Sequence, residues 1–169
     1  MSLSGRKTEN EEKEIKMEIR QLTDNSEKQN ITRLILEALP DWFGIPEARE
    51  GYITESINKI FFCAYDKDEP VGFLYLKETG NATVELYVMG VLMEFHRQGI
   101  GRELFNSAKK AACEKGYSFI QVKTVQMGKY EEYDQTNKFY LSLGSKEFEV
   151  FPTLWDEWNP CQIYVMSLR

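Results

Sequence analysis

Five consecutive residues, Gln98–Gly99–Ile100–Gly101–Arg102, join a β-rich stretch to an amphipathic one. A short glycine-bearing turn leading from a strand into a helix presents unpaired N–H groups and the positive end of the helix dipole, so it is an anion site on physical grounds alone. Gly99–Ile100–Gly101 is not followed by the Lys-Ser/Thr of a P-loop and lacks the third glycine of the dinucleotide fingerprint. An isolated GxG also serves plain turn geometry, so its surroundings decide its meaning. His96, the only histidine, abuts this loop, and no Ser or Cys partner makes it half of a nucleophile–base pair. Cys63, Cys113 and Cys161 are odd in number and far apart, with no CxxC spacing, which excludes a disulfide framework and a zinc site; no metal is expected. Tyr133, Thr136 and Tyr140 fall at i, i+3 and i+7, on one helix face.

These residues need a scaffold, and its pattern is readable. Ile15, Met17, Ile19 and Leu22 come close to strict alternation, as in a half-buried strand. Ser26 is positioned to cap a helix whose Ile31, Leu34, Ile35, Ala38 and Leu39 form one stripe ending before Pro40. A second helix starts near Pro46 and carries Ala48, Tyr52, Ile53 and Ile57. Lys59–Tyr65, Val71–Lys77 and Ala82–Met93 are strand-like runs with short polar turns between them, which favours an antiparallel meander. After Gly101 the spacing turns helical through Leu104, Ala108, Ala111 and Ala112 to a C-cap at Gly116. Ser118–Val125 reads as a strand, Glu131–Leu143 as a helix stopping at Gly144, and Lys146–Phe151 and Gln162–Leu168 as closing strands. The order predicts a mixed α+β (α/β) fold with a single mixed, mostly antiparallel sheet flanked by helices.

The chain has 169 residues, 42% hydrophobic and 28% charged, which suits one domain. Residues 1 to 15 are polar with little to bury and are expected to be disordered, leaving 16–169 as the folded domain. A formal charge of −6 without a basic stripe argues against nucleic acid as a partner. No apolar run is long enough to span a membrane and no signal-peptide core appears, so a cytoplasmic monomer or homodimer is expected.

The stretch Gly90–Val91–Leu92–Met93–Glu94–Phe95–His96–Arg97–Gln98–Gly99–Ile100–Gly101–Arg102–Glu103–Leu104 resembles the acetyl-CoA motif of the Gcn5-related N-acetyltransferases, Gln/Arg-x-x-Gly-x-Gly/Ala after a strand. Phe139–Tyr140–Leu141–Ser142–Leu143–Gly144 is similar to the family's second signature, and the element order matches over residues 16 to 168. Three residues depart from the pattern: His96 stands in the Gln/Arg slot, Met93 replaces a common Pro, and Ser145 replaces a common Phe. The family's Asn-x-x-Ala ahead of the Tyr is also missing, Tyr133 and Thr136 standing there.

The resemblance implies the GNAT fold, acetyl-CoA as cofactor, and direct acetyl transfer in a ternary complex to an amine of a small molecule or peptide. It implies that N–H groups from Gln98 to Arg102 hold the pyrophosphate with Arg97 and Arg102 adding charge, and that the pantetheine bonds Val91 in a gap between its strand and Ser118–Val125. An amine of pKa near 10 must lose a proton to attack, and Glu85 matches the family's general base. Its six-residue offset from Val91 puts the two on one side of a regular strand, unless a bulge intervenes. Tyr140 matches the general acid that protonates the departing thiolate. Trp42, Phe43 and Trp155 fall in segments that form the acceptor side in the family, where aromatics beside carboxylates suit a cationic amine. A non-catalytic acetyl-CoA-binding or sensing module is the alternative; it would keep the loop and lose acid and base.

Overall fold

The protein is described from a computed structural model over residues 17–169, so the expectation for residues 1 to 15 and the strand position of Ile15 lie outside the described residues. Strand β1 (Met17–Leu22) leads to helices α1 (Asn25–Glu37) and α2 (Pro46–Glu55). A meander follows: β2 (Ile60–Asp66), β3 (Glu69–Glu78) and β4 (Thr83–Val91). Then come a 3-10 turn at Met93–Phe95, α3 (Ile100–Glu114), β5 (Phe119–Val125), α4 (Glu131–Ser142), β6 (Lys146–Asp156) and β7 (Asn159–Ser167). The seven strands form one sheet in the order β1-β2-β3-β4-β5-β7-β6. Every neighbouring pair is antiparallel except β4 and β5, which are parallel.

The sheet carries a core on each face. Under α3, Ile100, Leu104, Phe105, Ala108 and Ala112 meet Leu74, Leu76, Val84, Leu86, Ile120 and Val122. Burying the larger of these side chains stabilises by roughly 1.5–3 kcal/mol each, so this face alone fixes α3, and with it the loop at its N-terminus. On the other face Ile31, Ile35, Leu36 and Leu39 cover Phe61, Phe73, Tyr75 and Val88.

Two readings of α1 need correction. Its cap is Asp24, whose carboxylate accepts from the Glu27 N–H at 2.7 Å, and Ser26 lies inside the helix. The buried stripe is Ile31, Thr32, Ile35, Leu36 and Leu39, whereas Leu34 is 52% exposed. Leu34 fits a helical period with Ile31, and Leu36 with Thr32 and Leu39; tertiary contact with the aromatic face of β2 and β3 selects Leu36. The closing strands also run further than expected: β6 and β7 make an arm turning at Asp156–Asn159, where the sequence reads as a loop because of Pro152 and Pro160.

Two irregularities create the site. Pairing between β4 and β5 is confined to Thr83↔Phe119, Val84↔Ile120 and Glu85↔Gln121, although β5 pairs with β7 along its whole length. From Leu86 and Val122 onward the two strands part into a wedge. Within β4 itself, Tyr75 pairs with Val88 while Leu76 pairs with Leu86, leaving Tyr87 as the extra residue of a β-bulge.

Candidate active site

The wedge opens into a cleft of about 1380 Å³ bordered by the far half of β4, the end of β5, the start of α3, and α4. Its two ends differ in chemistry.

One end is the loop. Arg97 and Gly99 have positive φ, 60° and 81°, and the chain enters α3 directly from Gly99. The first α-helical bond runs from Glu103 N–H to Gly99 C=O at 3.1 Å, leaving the N–H groups of Ile100, Gly101 and Arg102 without partners among the described residues. That is a three-donor anion cradle on the helix dipole. The two glycines are needed for different reasons: Gly99 supplies the left-handed turn, while a Cβ at Gly101 would lie 3.0 Å from both the Met89 methyl and the Phe139 ring. Val91, Arg97, Gly99, Ile100, Gly101 and Arg102 all border the cleft. Gln98 does not: its amide donates back to Glu94 C=O at 3.1 Å and its side chain faces a separate hollow with Met17 and Glu103. Arg102 also ties α3 to α4, its Nη2 lying 3.4 Å from both the carbonyl and the hydroxyl of Ser142.

His96 Nε2 lies 2.6 Å from the Val91 carbonyl, which can only accept, so this nitrogen carries the proton. The ring, packed edge-on against Trp42, therefore fixes the end of β4.

The other end holds the titratable groups. The bulge overturns the reading that Glu85 and Val91 share a side. Val84, Leu86, Met89 and Val91 pack with the α3 core, and Tyr87 and Val88 both turn to the α1 core. Glu85, alternating with Val84 and Leu86, therefore faces the α1 side, opposite Val91. It is 4% exposed, and Lys123 of β5 bonds it at 3.3 Å across the narrow end of the wedge. Burial pushes the Glu85 carboxyl above its ordinary value, and Lys123 offsets part of that rise.

Tyr140 is buried in the α3-side core and borders the cleft, yet its hydroxyl makes no hydrogen bond among the described residues. Burial, with Glu85 contributing, holds its phenol well above the usual tyrosine range. One turn earlier, fully buried Asn137 donates to Val125 C=O at 2.8 Å and Tyr133 C=O at 2.7 Å and accepts from the Tyr164 hydroxyl at 2.6 Å, fastening α4 to β5 and β7. Trp42, Phe43 and Trp155 line the cleft beside Tyr52, Tyr87 and Tyr133, whose hydroxyl donates to Trp42 C=O at 3.1 Å. The sequence reading missed Lys123 and Asn137. Lys123 is visible only once the β4–β5 register is known, and Asn137 only once α4 is docked on β5 and β7.

The family model described as acetyltransferase (GNAT) domain matches residues 58–146, more than half of the chain, spanning β2 to the start of β6. The chain belongs to the GNAT acetyltransferase family. No curated protein matches its sequence. Solved structures of GNAT proteins share the fold. An aminoglycoside 6'-N-acetyltransferase from Enterococcus faecium superposes with a TM-score of 0.72 at 20% identity, over 90% of this chain and 97% of that one. Another aminoglycoside 6'-N-acetyltransferase, complexed with coenzyme A, gives 0.70 at 21% identity over 90% and 97% of the two chains. A GNAT family acetyltransferase from Elizabethkingia anophelis with acetyl-CoA bound gives 0.68 at 18% identity over 89% and 97%.

Proposed function

We propose that this GNAT protein transfers the acetyl group of acetyl-CoA to the amine of a small molecule or peptide by direct attack in a ternary complex. The observation that carries this reading is the wedge: free helix N–H groups at one end, a buried carboxylate and an unbonded phenol at the other, within one cleft. Acetyl-CoA supplies a thioester and a pyrophosphate. The N–H groups of Ile100, Gly101 and Arg102, with the charges of Arg97 and Arg102, suit the pyrophosphate, and the unpaired backbone of β4 beyond Leu86 suits an extended pantetheine arm. The bound coenzyme A and acetyl-CoA of the two similar structures support the fit.

Glu85 takes a proton from the acceptor's ammonium, for which a carboxyl raised by burial is better matched than an exposed one. The amine nitrogen then bonds the acetyl carbon as the carbon–sulfur bond breaks, and the second proton that nitrogen sheds in becoming an amide restores the phenol that protonates sulfur. Tyr140 keeps its proton at neutral pH because burial disfavours phenolate, and gives it to the leaving thiolate. Trp42, Phe43 and Trp155 wall the acceptor.

Release of coenzyme A thiol across a panel of polyamines, aminoglycosides, amino acids and peptides tests the reaction. Removing a positioned proton donor costs about 10²–10⁴-fold, so Tyr140→Phe is expected to lower kcat by at least the smaller factor with little change in KM for acetyl-CoA. Acetyl-CoA binding without acceptor-dependent thiol release from any amine would refute the enzymatic reading.

A further inference from the structure

On the acceptor side of the cleft three cations approach the aromatic walls: Arg49, Lys77 and Lys123. Two are answered by the protein. Lys77 is bonded to Glu55 at 2.8 Å and Lys123 to Glu85 at 3.3 Å. Arg49 has no carboxylate partner among the described residues. The neighbouring Glu50 is held through both oxygens by Arg33. Arg49 makes a single hydrogen bond, from Nη1 to Phe43 C=O at 3.2 Å, and its Nε is buried with no acceptor at all. A guanidinium presents its donors as a planar fork matched to a carboxylate, and a buried N–H left open is unfavourable until something accepts from it. Trp42, Phe43 and Tyr52 enclose this end of the cleft, which weakens competition from water.

We infer that Arg49 binds a carboxylate of the acceptor, so that the acceptor class is an α-amino acid or a compound like it, an amine and an acid joined by an apolar or aromatic body. The inference rests on the N-acetyltransferase reading and narrows it. The cleft carries charges of both signs, Arg49 from α2 and Glu132 from α4, as a zwitterion requires. Asp156, the other carboxylate at the rim, is already bonded by the N–H groups of Trp158 and Asn159 and by the Asn159 amide, so it is committed to the turn of the arm. A polycation would be repelled by Arg49, whose charge Glu50 attracts through space but no carboxylate bonds.

Paired acceptors test this: L-phenylalanine against phenethylamine and L-tryptophan against tryptamine, followed by thiol release. The wild-type protein is expected to prefer the carboxylate-bearing member roughly ten- to a hundred-fold in kcat/KM, as a charge-assisted hydrogen-bond pair allows. Arg49→Gln should erase that preference, raising KM for the amino acid well beyond whatever the lost Phe43 bond costs the amine. Arg49→Lys, which keeps the charge and a donor for Phe43 but not the fork, should fall between the two at an unchanged urea midpoint. Equal use of both members by the wild type, or equal losses on both in Arg49→Gln, overturns the inference. If no amine releases thiol, the reaction reading fails separately. Calorimetric binding of N-acetyl-L-phenylalanine against N-acetylphenethylamine, in wild type and Arg49→Gln, then decides the role of Arg49 on its own: a carboxylate advantage lost in the variant supports it, and no advantage overturns it.

Discussion

Asn137→Ala separates the scaffold of the proposed acid, Tyr140, from Tyr140 itself. The Asn137 amide spans three elements, donating to the last carbonyl of β5 and accepting from the Tyr164 hydroxyl of β7, and it has no exposed surface. Truncation takes a partner from the Val125 carbonyl and from the Tyr164 hydroxyl. Each buried polar group left unmatched costs about 1–3 kcal/mol, and two at one site, not fully additive, give about 2–5 kcal/mol. Against a typical total of roughly 5–15 kcal/mol this is a large fraction, readable as a lower urea midpoint at constant slope. Tyr164→Phe strips one group only and should cost about 1–3 kcal/mol. The double variant should be less destabilised than the sum, because it orphans only the Val125 carbonyl, whereas the two single variants together orphan three groups. Tyr140 lies one turn further along α4, so the folded single variant should also lose kcat more than affinity for acetyl-CoA. A loss in Asn137→Ala within about 0.5 kcal/mol of wild type, the range of ordinary surface changes, would refute the reasoning.

The two loop glycines should fail differently. Gly99→Ala places a side chain in open space at φ 81°, costing about 1–2 kcal/mol of backbone strain, and should lower the thermal midpoint with a modest change in KM for acetyl-CoA. Gly101→Ala forces a methyl to 3.0 Å from Met89 and Phe139, an overpacking of about 1–3 kcal/mol at the cleft wall, and should raise that KM more strongly. For the proposed base, the sign follows from the form the role requires: Glu85 must be deprotonated, so activity should rise with pH through its folded-state pKa, which burial places above the ordinary carboxylate value. Lys123 lowers that pKa, so Lys123→Met should move the acidic limb of kcat/KM to higher pH, and Glu85→Gln should remove the limb; an unmoved limb in Lys123→Met counts against Glu85 as the titrating group.

The loop, the helix behind it and the meander before it are legible in the sequence because each rests on local rules: glycine geometry, a 3.6-residue stripe, short polar turns. The extent of the β6–β7 arm was not legible, since Pro152 and Pro160 mark loops unless they lie on an edge strand or at a strand start. Arg49, Lys123 and Asn137 escaped notice for a shared reason. Each owes its role to a partner at least 6 residues away, Phe43, Glu85 or Tyr164, and no periodicity within one element encodes such a pairing.

The bulge in β4 shows how much a single residue can decide. On a regular strand the even offset would put Glu85 and Val91 on one face, and base and pantetheine site would crowd the same side of the sheet. With Tyr87 inserted, Tyr87 and Val88 both join the α1 core, and Glu85 faces the acceptor walls while Val91 keeps to the α3 side. The strand can then serve two substrates from opposite faces, with the wedge between β4 and β5 as the passage joining them. Tyr140 enters that passage from α4 and Glu85 sits at its narrow end beside Lys123, so the proposed proton donor and proton acceptor reach it from different elements. A carboxylate is far too weak a base to take the proton of a buried phenol, so in the proposed reaction Glu85 can receive the amine proton while Tyr140 keeps its own for the sulfur.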